Sequence, residues 1–194
     1  NFIVMIIAPQ LKQAKKIYWN SKRLQNYPPP QYVDVTNVSD MMLRFKNGSY
    51  IAIDGCENYD ALRGVKPNLV IYDEFQHHSK EFHLEVMQPN LLTSSTALLV
   101  FGTPPNSRGA YYVEYRDQLI KEIKEGSTTS AYYEFPSSTN PANNPAKLEK
   151  VRKQLFDAGN EVIWYREYLG QLAFGGEDVV FPKWNPKVHC RTHL

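Results

Sequence analysis

The chain has 194 residues, a length that accommodates one domain with a good core and at most an appendage. Hydrophobic residues make up 42% and charged residues 22%, proportions that are ordinary for a soluble globular protein. The net charge is only +2, so total charge demands no nucleic-acid partner, although a local basic surface stays open.

The opening run Phe2 to Ala8 is too short to span a membrane and lacks the basic lead and small-residue cleavage site of a secretion signal. It reads as a strand. Because that strand starts directly after Asn1, a preceding segment is expected in the native protein. Pro9 breaks the run, and Leu11, Ala14, Ile17 and Tyr18 then recur at helical spacing, with Lys12, Lys15, Lys16, Lys22 and Arg23 on the other faces. The basic residues read most simply as a solvated helix face, and a DNA-facing role is the rival reading. Tyr27-Pro28-Pro29-Pro30 forms a stiff surface connector, because consecutive prolines cannot continue a helix. Next, Met42 to Lys46 and Tyr50 to Asp54 flank Asn47-Gly48, which predicts an antiparallel hairpin. Gly55 to Leu62 is polar with a short helical tendency. Cys56 and Cys190 are isolated thiols without metal-ligand spacing, which points to a reduced, intracellular setting and away from a disulfide framework.

Leu69-Val70-Ile71-Tyr72 is an uninterrupted apolar run, the pattern of a strand buried on both faces of a parallel sheet, and it ends on Asp73 and Glu74. Ligands of open α/β sheets collect at the carboxyl ends of strands. Two carboxylates there suit nucleotide hydrolysis: one holds Mg²⁺, usually through water, and its neighbour polarises the attacking water. On these residues alone, a strand ending in solvated acids reads equally well. Arg63, just upstream, is a surface residue or a source of charge stabilisation at the mouth of such a site. Gln76, His77, His78 and later His83 read as polar residues beside the active-site loop, since no second ligand pair at zinc spacing follows the adjacent histidines. Phe82, Val86, Met87 and Leu91 predict a helix with a core face, ended or kinked by Pro89. A second buried strand, Ala97 to Phe101, runs into Gly102-Thr103-Pro104-Pro105-Asn106. It delivers the Thr103 hydroxyl level with Asp73 and Glu74, unless the segment is only a turn made by Gly and Pro.

The ordered set is more telling than its parts. Ala8-Pro9-Gln10, the Asn47-Gly48-Ser49 hairpin, Leu62-Arg63-Gly64, Val70 to Glu74 and Gly102-Thr103-Pro104 occur in an order and spacing that resemble large terminase subunits, the DNA-packaging motors of tailed bacteriophages. Ser138-Thr139-Asn140-Pro141, a helix from about Ala146 to Ala158, Tyr165 to Gly170 and Val180-Phe181-Pro182 resemble the end of that family's ATPase domain, so the likeness covers nearly the whole chain.

The resemblance implies an additional-strand P-loop ATPase fold, a three-layer α/β arrangement with a mostly parallel sheet and helices on both faces. Asp73 would match the Walker B metal carboxylate, Glu74 the catalytic glutamate and Thr103 the coupling motif, while Arg63 matches a position proposed as an arginine finger. ATP and Mg²⁺ are the implied cofactors. The implied partners are double-stranded DNA, a portal protein, the terminase small subunit and further copies in a ring on the procapsid, with no membrane, in the cytoplasm of an infected bacterium. Two departures stand out. No Gly-x-x-x-x-Gly-Lys-Ser/Thr occurs in the 194 residues, so there are no Walker A residues to assign to nucleotide binding, and the family's nuclease domain is missing. The expected division is therefore a partial ATPase domain over 1–180 with a linker, or the start of a nuclease domain, over 181–194, and the isolated chain is expected to be inactive. In that family the phosphate-loop strand pairs with the strand ending at Thr103, so Ala97 to Phe101 would here be an apolar edge. Two alternatives remain. A helicase-like ATPase shares the Asp-Glu strand but requires a second motor domain, for which the chain is too short; a non-catalytic fragment would keep only the fold and an assembly surface.

Overall fold

The computed structural model describes residues 1–93 and 96–175, and the contacts divide the chain into two units, Asn1–Gly102 and Thr103 onward. The expected boundary near residues 180 and 181, the Val180-Phe181-Pro182 motif, Trp184 to Leu194 and Cys190 all lie outside the described residues.

The first unit is built on a six-stranded sheet. Its strands are β1 (Ile3–Ala8), β2 (Val33–Asn37), β3 (Met42–Phe45), β4 (Tyr50–Gly55), β5 (Leu69–Tyr72) and β6 (Ala97–Val100), in the order β2-β3-β4-β1-β5-β6. The pairs β1–β4, β1–β5 and β5–β6 are parallel, whereas β2 and β3 add an antiparallel margin. The Asn47-Gly48 hairpin forms as expected, with Gly48 at φ +81°, a left-handed value that a side chain would strain. Strand β2 was not anticipated. Its alternation, Val33-Asp34-Val35-Thr36-Asn37, follows closely on the prolines, and it carries a bulge between Val33 and Val35.

Register and alternation sort the side chains onto two faces. Ile53, Ile6 and Ile71 lie in one row, and Asp54, Ile7 and Tyr72 in the next row, on the opposite face. The first face is covered by helix α1 (Leu11–Ala14), which widens into a π-helical turn over Lys15–Trp19; Ala14 and Trp19 are buried there with Ala8, Met41, Leu43 and Ile53. A short helix α2 (Arg23–Asn26) follows. Across the sheet, Tyr72 is fully buried among Phe75, His78, Phe82 and His83, with ring centroids 5.0 to 5.9 Å away. Phe82 and His83 come from a second π-helical turn, Phe82–Met87, that runs into α3 (Gln88–Thr93).

Pro89 therefore neither ends nor visibly stops this helix. Its missing N–H falls where the chain changes from π to α winding, near the start of α3, the part of a helix in which proline costs least. At the other side of the sheet, β6 is the edge, and Leu99 and Phe101 are 46% and 54% exposed.

The second unit is helical. Helix α4 (Tyr111–Lys124) was not anticipated, although Tyr112, Tyr115, Leu119 and Ile123 recur at helical spacing. Arg116 on α4 donates to the Tyr132 hydroxyl at 3.0 Å and stands 3.5 Å from Glu134, tying down the extended segment after the helix. Helix α5 (Pro145–Asp157) falls where the sequence places it; the Asn144 side chain accepts from Ala146 N and Lys147 N, with proline at the first position. Helix α6 (Glu161–Ile163) continues as a π-helical turn, Trp164–Tyr168, in which Trp164 and Tyr168 stack at 4.8 Å.

Candidate functional site

Asp73 and Glu74 leave the carboxyl end of β5, an interior strand flanked by β1 and β6. The backbone there is held from three sides. Asp73 N donates to the Ile7 carbonyl at 2.9 Å, His78 Nε2 donates to the Asp73 carbonyl at 2.9 Å, and Phe75 N donates to the Phe101 carbonyl at 2.9 Å. Glu74 is in the left-handed region, at φ 53° and ψ 48°, which is strained for a residue with a side chain and persists only where the surroundings enforce it.

That turn sends the two carboxylates to different partners. Asp73 continues the alternation of β5 onto the face covered by α1 and its π turn, where the Tyr18 hydroxyl donates to Asp73 Oδ2 at 2.6 Å. Glu74 instead receives Gln76 Nε2 at Oε2, 2.5 Å away. Among the described residues, Asp73 Oδ1 and Glu74 Oε1 accept no hydrogen bond and join no ion pair. An open carboxylate oxygen, as on Asp73, is a hard donor of the kind an oxygen-preferring cation such as Mg²⁺ takes.

Tyr18 was read only as one of the apolar helix positions. Burial, followed by the Asp73 carboxylate, raises its phenol above the usual tyrosine range, so it remains a donor at neutral pH. His78, read as polar and beside the loop, is buried. With Nε2–H committed to a carbonyl, its Nδ1 carries a lone pair and has no partner, and burial pushes the ring toward the neutral form. His83 is also in the core, with Nδ1 3.1 Å from the Tyr72 hydroxyl, and burial brings it down to about 4. Both histidines are buried and pack against Tyr72 of β5. His77, between Gln76 and His78, is exposed.

Asp54 is a further carboxylate at this rim, raised by burial. It shares the row of Ile7 and Tyr72, the face opposite to Asp73, and accepts from Gly55 N at 2.9 Å. It does not join the pair.

The ends of β5 and β6 are neighbours, with Tyr72 beside Val100 in parallel register and Phe101 N donating to the Tyr72 carbonyl at 2.9 Å. Thr103 comes two residues after Phe101 and opens the second unit. Arg63 lies at the end of a 3₁₀ segment, Cys56–Leu62, with its guanidinium committed: Nε donates to Asp60 Oδ1 at 2.7 Å, Nη1 to the Glu85 carbonyl at 3.2 Å, and Nη2 stands 3.6 Å from Glu85 Oε2.

An interior parallel strand ending in two carboxylates, in a mixed sheet with helices on both faces, makes this a P-loop-like α/β fold. No protein-family model matches the chain, and no curated protein sequence is similar to it. Solved structures are. The chain matches the large terminase of a thermophilic bacteriophage with a TM-score of 0.65 at 13% identity, covering 89% of this chain and 41% of that one. It matches a variant of the Thermus phage P74-26 large terminase ATPase domain with a TM-score of 0.59 at 17% identity, covering 89% of this chain and 77% of that domain. The first terminase was also solved with ADP, and there the match covers 96% of this chain and 44% of that protein, with a TM-score of 0.63 at 14% identity. The shared feature is the fold, and this chain covers about two fifths of the length of the first terminase it matches. No helix among the described residues is long and apolar enough to cross a membrane.

Proposed function

We propose that this chain is the central part of the ATPase of a phage DNA-packaging motor. The observation that carries the reading is the Asp73–Glu74 pair at the end of β5, each carboxylate held by its own donor and each with one oxygen open. The resemblance of the ordered motifs and the terminase fold support it. Asp73 Oδ1 would hold Mg²⁺, directly or through water, and bound Mg-ATP would supply the phosphoryl group and neutralise charge on it. Glu74 orients and polarises the water that attacks. Thr103 links the site to the segment that moves. Arg63 adds charge stabilisation across a subunit boundary, after exchanging Asp60 and Glu85 for the phosphate of a neighbouring copy. The motor drives double-stranded DNA into a procapsid in the cytoplasm of the infected host, as a homo-oligomeric ring that engages a portal protein and the small subunit.

The 194 residues hold no Walker A motif, so most backbone donors and the lysine for the phosphates must come from other residues of a longer protein. The same absence supports a second reading, a non-catalytic fragment that keeps the fold and an assembly surface. Phosphate release distinguishes the two. The longer native protein is expected to hydrolyse ATP and to lose turnover in Glu74→Gln, whereas the 194-residue chain releases no phosphate. A longer protein that neither binds a labelled ATP analogue nor releases phosphate sinks the motor reading. Turnover by the short chain that disappears in Glu74→Gln shows that the missing phosphate cradle was misjudged.

A further inference from the structure

The carboxylate of Asp73 has its geometry set from outside its own strand. Its main chain is fixed by Ile7 and His78, which leaves only side-chain rotation, and the Tyr18 hydroxyl at 2.6 Å from Oδ2 removes that freedom. The distance is that of a charge-assisted hydrogen bond. Tyr18 is itself well placed to hold still. It lies between Ala14, which is fully buried, and Trp19, 4% exposed, both packed in the core beneath the sheet, and it packs against that cluster.

One consequence concerns cations. Calcium takes six to eight oxygens and readily accepts a carboxylate through both of its atoms, whereas magnesium keeps an octahedron of waters and takes a carboxylate through one. A donor seated on Oδ2 leaves Oδ1 alone. We propose that Tyr18 is a positioning residue that restricts Asp73 to one free oxygen and thereby favours a small octahedral cation, Mg²⁺ or Mn²⁺, over Ca²⁺. This inference rests on the reading of Asp73 as the metal carboxylate. It assigns a role to a side chain 55 residues upstream, on a helix that the sequence motifs leave out.

The test uses the metals alone. Mn²⁺ binding to the 194-residue chain is followed by the loss of the free-ion electron paramagnetic resonance signal, and Ca²⁺ affinity by competition, for wild type, Tyr18→Phe and Asp73→Asn. Loss of the hydroxyl should raise Ca²⁺ affinity relative to Mn²⁺ by about tenfold, equivalent to ~1.4 kcal/mol, the size of one net hydrogen bond. Asp73→Asn should abolish binding of both. Tyr18→Met, which fills part of the space and cannot donate, should repeat the shift, and circular-dichroism melts report whether each variant is folded. An unchanged ratio in folded Tyr18 variants, with binding still dependent on Asp73, overturns this inference and leaves the metal assignment standing. Binding that does not depend on Asp73, or no binding at all, overturns both. If neither Tyr18 variant folds, the tyrosine is structural and the inference is wrong.

Discussion

Gln76 and Gly102 meet across the ends of two parallel strands: a Cβ built on Gly102 would lie 2.6 Å from Gln76 Oε1 and 3.1 Å from Phe75 N. The same glutamine donates its Nε2 to Glu74. Gln76 therefore bridges the end of β5, where the proposed catalytic carboxylate sits, and the end of β6, one residue before Thr103. The glycine is needed for this close approach, because any side chain there would displace the amide or the backbone of Phe75.

The first prediction follows from that contact. Gly102→Ala should lower ATP turnover in the longer native protein by tenfold or more, with an overpacking cost of about 1–3 kcal/mol in stability. Gln76→Leu should also lower turnover, because Glu74 loses its amide donor and the bridge to Gly102 is lost. Steady-state kinetics alongside urea melts check this. Full activity in both variants would mean that Glu74 does not depend on the bridge.

A second prediction concerns Arg63, whose three partners are Asp60, the Glu85 carboxylate and the Glu85 carbonyl. The guanidinium is half exposed and solvent screens its ion pairs, so Arg63→Ala should leave the domain folded. It should nonetheless abolish turnover while nucleotide affinity stays nearly intact, since a transition-state charge contact is worth on the order of 10³-fold in rate. Mixing Arg63→Ala with Glu74→Gln subunits should restore part of the activity through interfaces that pair an intact Arg63 with an intact Glu74. A verified mixed assembly that stays inactive rules out action across the boundary.

The parts of this site that were legible in the sequence are those with a local signature. An unbroken apolar run ending in Asp73 and Glu74, and a second run entering Gly102-Thr103-Pro104, carry their strand assignment and their shared rim in a few adjacent residues. The hairpin at Asn47-Gly48 is equally local. Tyr18, Gln76 and His78 act through contacts set by the fold. Nothing at position 18 distinguishes an apolar helix residue from one whose hydroxyl reaches a carboxylate 55 positions away. The histidines follow the same rule: polarity places them beside the loop, whereas in the fold His78 donates to a carbonyl and His83 lies against a buried tyrosine. The π-helical turns have no propensity signal of their own, and α4 starts after Ala110 with no capping side chain to mark its beginning.

The third prediction is a pH dependence. His83 is brought down to about 4 in the folded chain, below the ~6.5 of an unfolded histidine. The neutral ring is the one that packs, so its contribution is fully present above pH 6.5 and is lost as pH falls through 6.5 toward 4. His78 is shifted in the same direction by burial. Between pH 7 and pH 5 the His83 contribution alone should reduce unfolding free energy by roughly 2 kcal/mol, from about 1.4 kcal/mol per unit below 6.5. Urea midpoints at the two pH values measure this. A Tyr72→Phe/His83→Leu double variant, which removes both polar partners together, should show a smaller drop. An equal drop would place the acid sensitivity elsewhere.

The last prediction concerns the edge of the sheet. Among the described residues strand β6 has a partner only on the β5 side, and its Leu99 and the following Phe101 are 46% and 54% exposed. An unpaired edge bearing exposed apolar side chains templates association with other chains. Leu99→Lys should therefore suppress aggregation of the 194-residue chain at raised concentration, measured by light scattering. The melting temperature should change little, because an exposed edge position contributes about 0.5 kcal/mol or less to folding. Charge at the edge also opposes any strand that would pair there. In the longer native protein, if a strand of that protein covers β6, Leu99→Lys should instead cost stability and leave aggregation unchanged. Finding the same drop in light scattering in both proteins, with no stability cost in the longer one, would show that β6 remains an open edge in the native molecule, and the phosphate-loop strand would have to pair elsewhere.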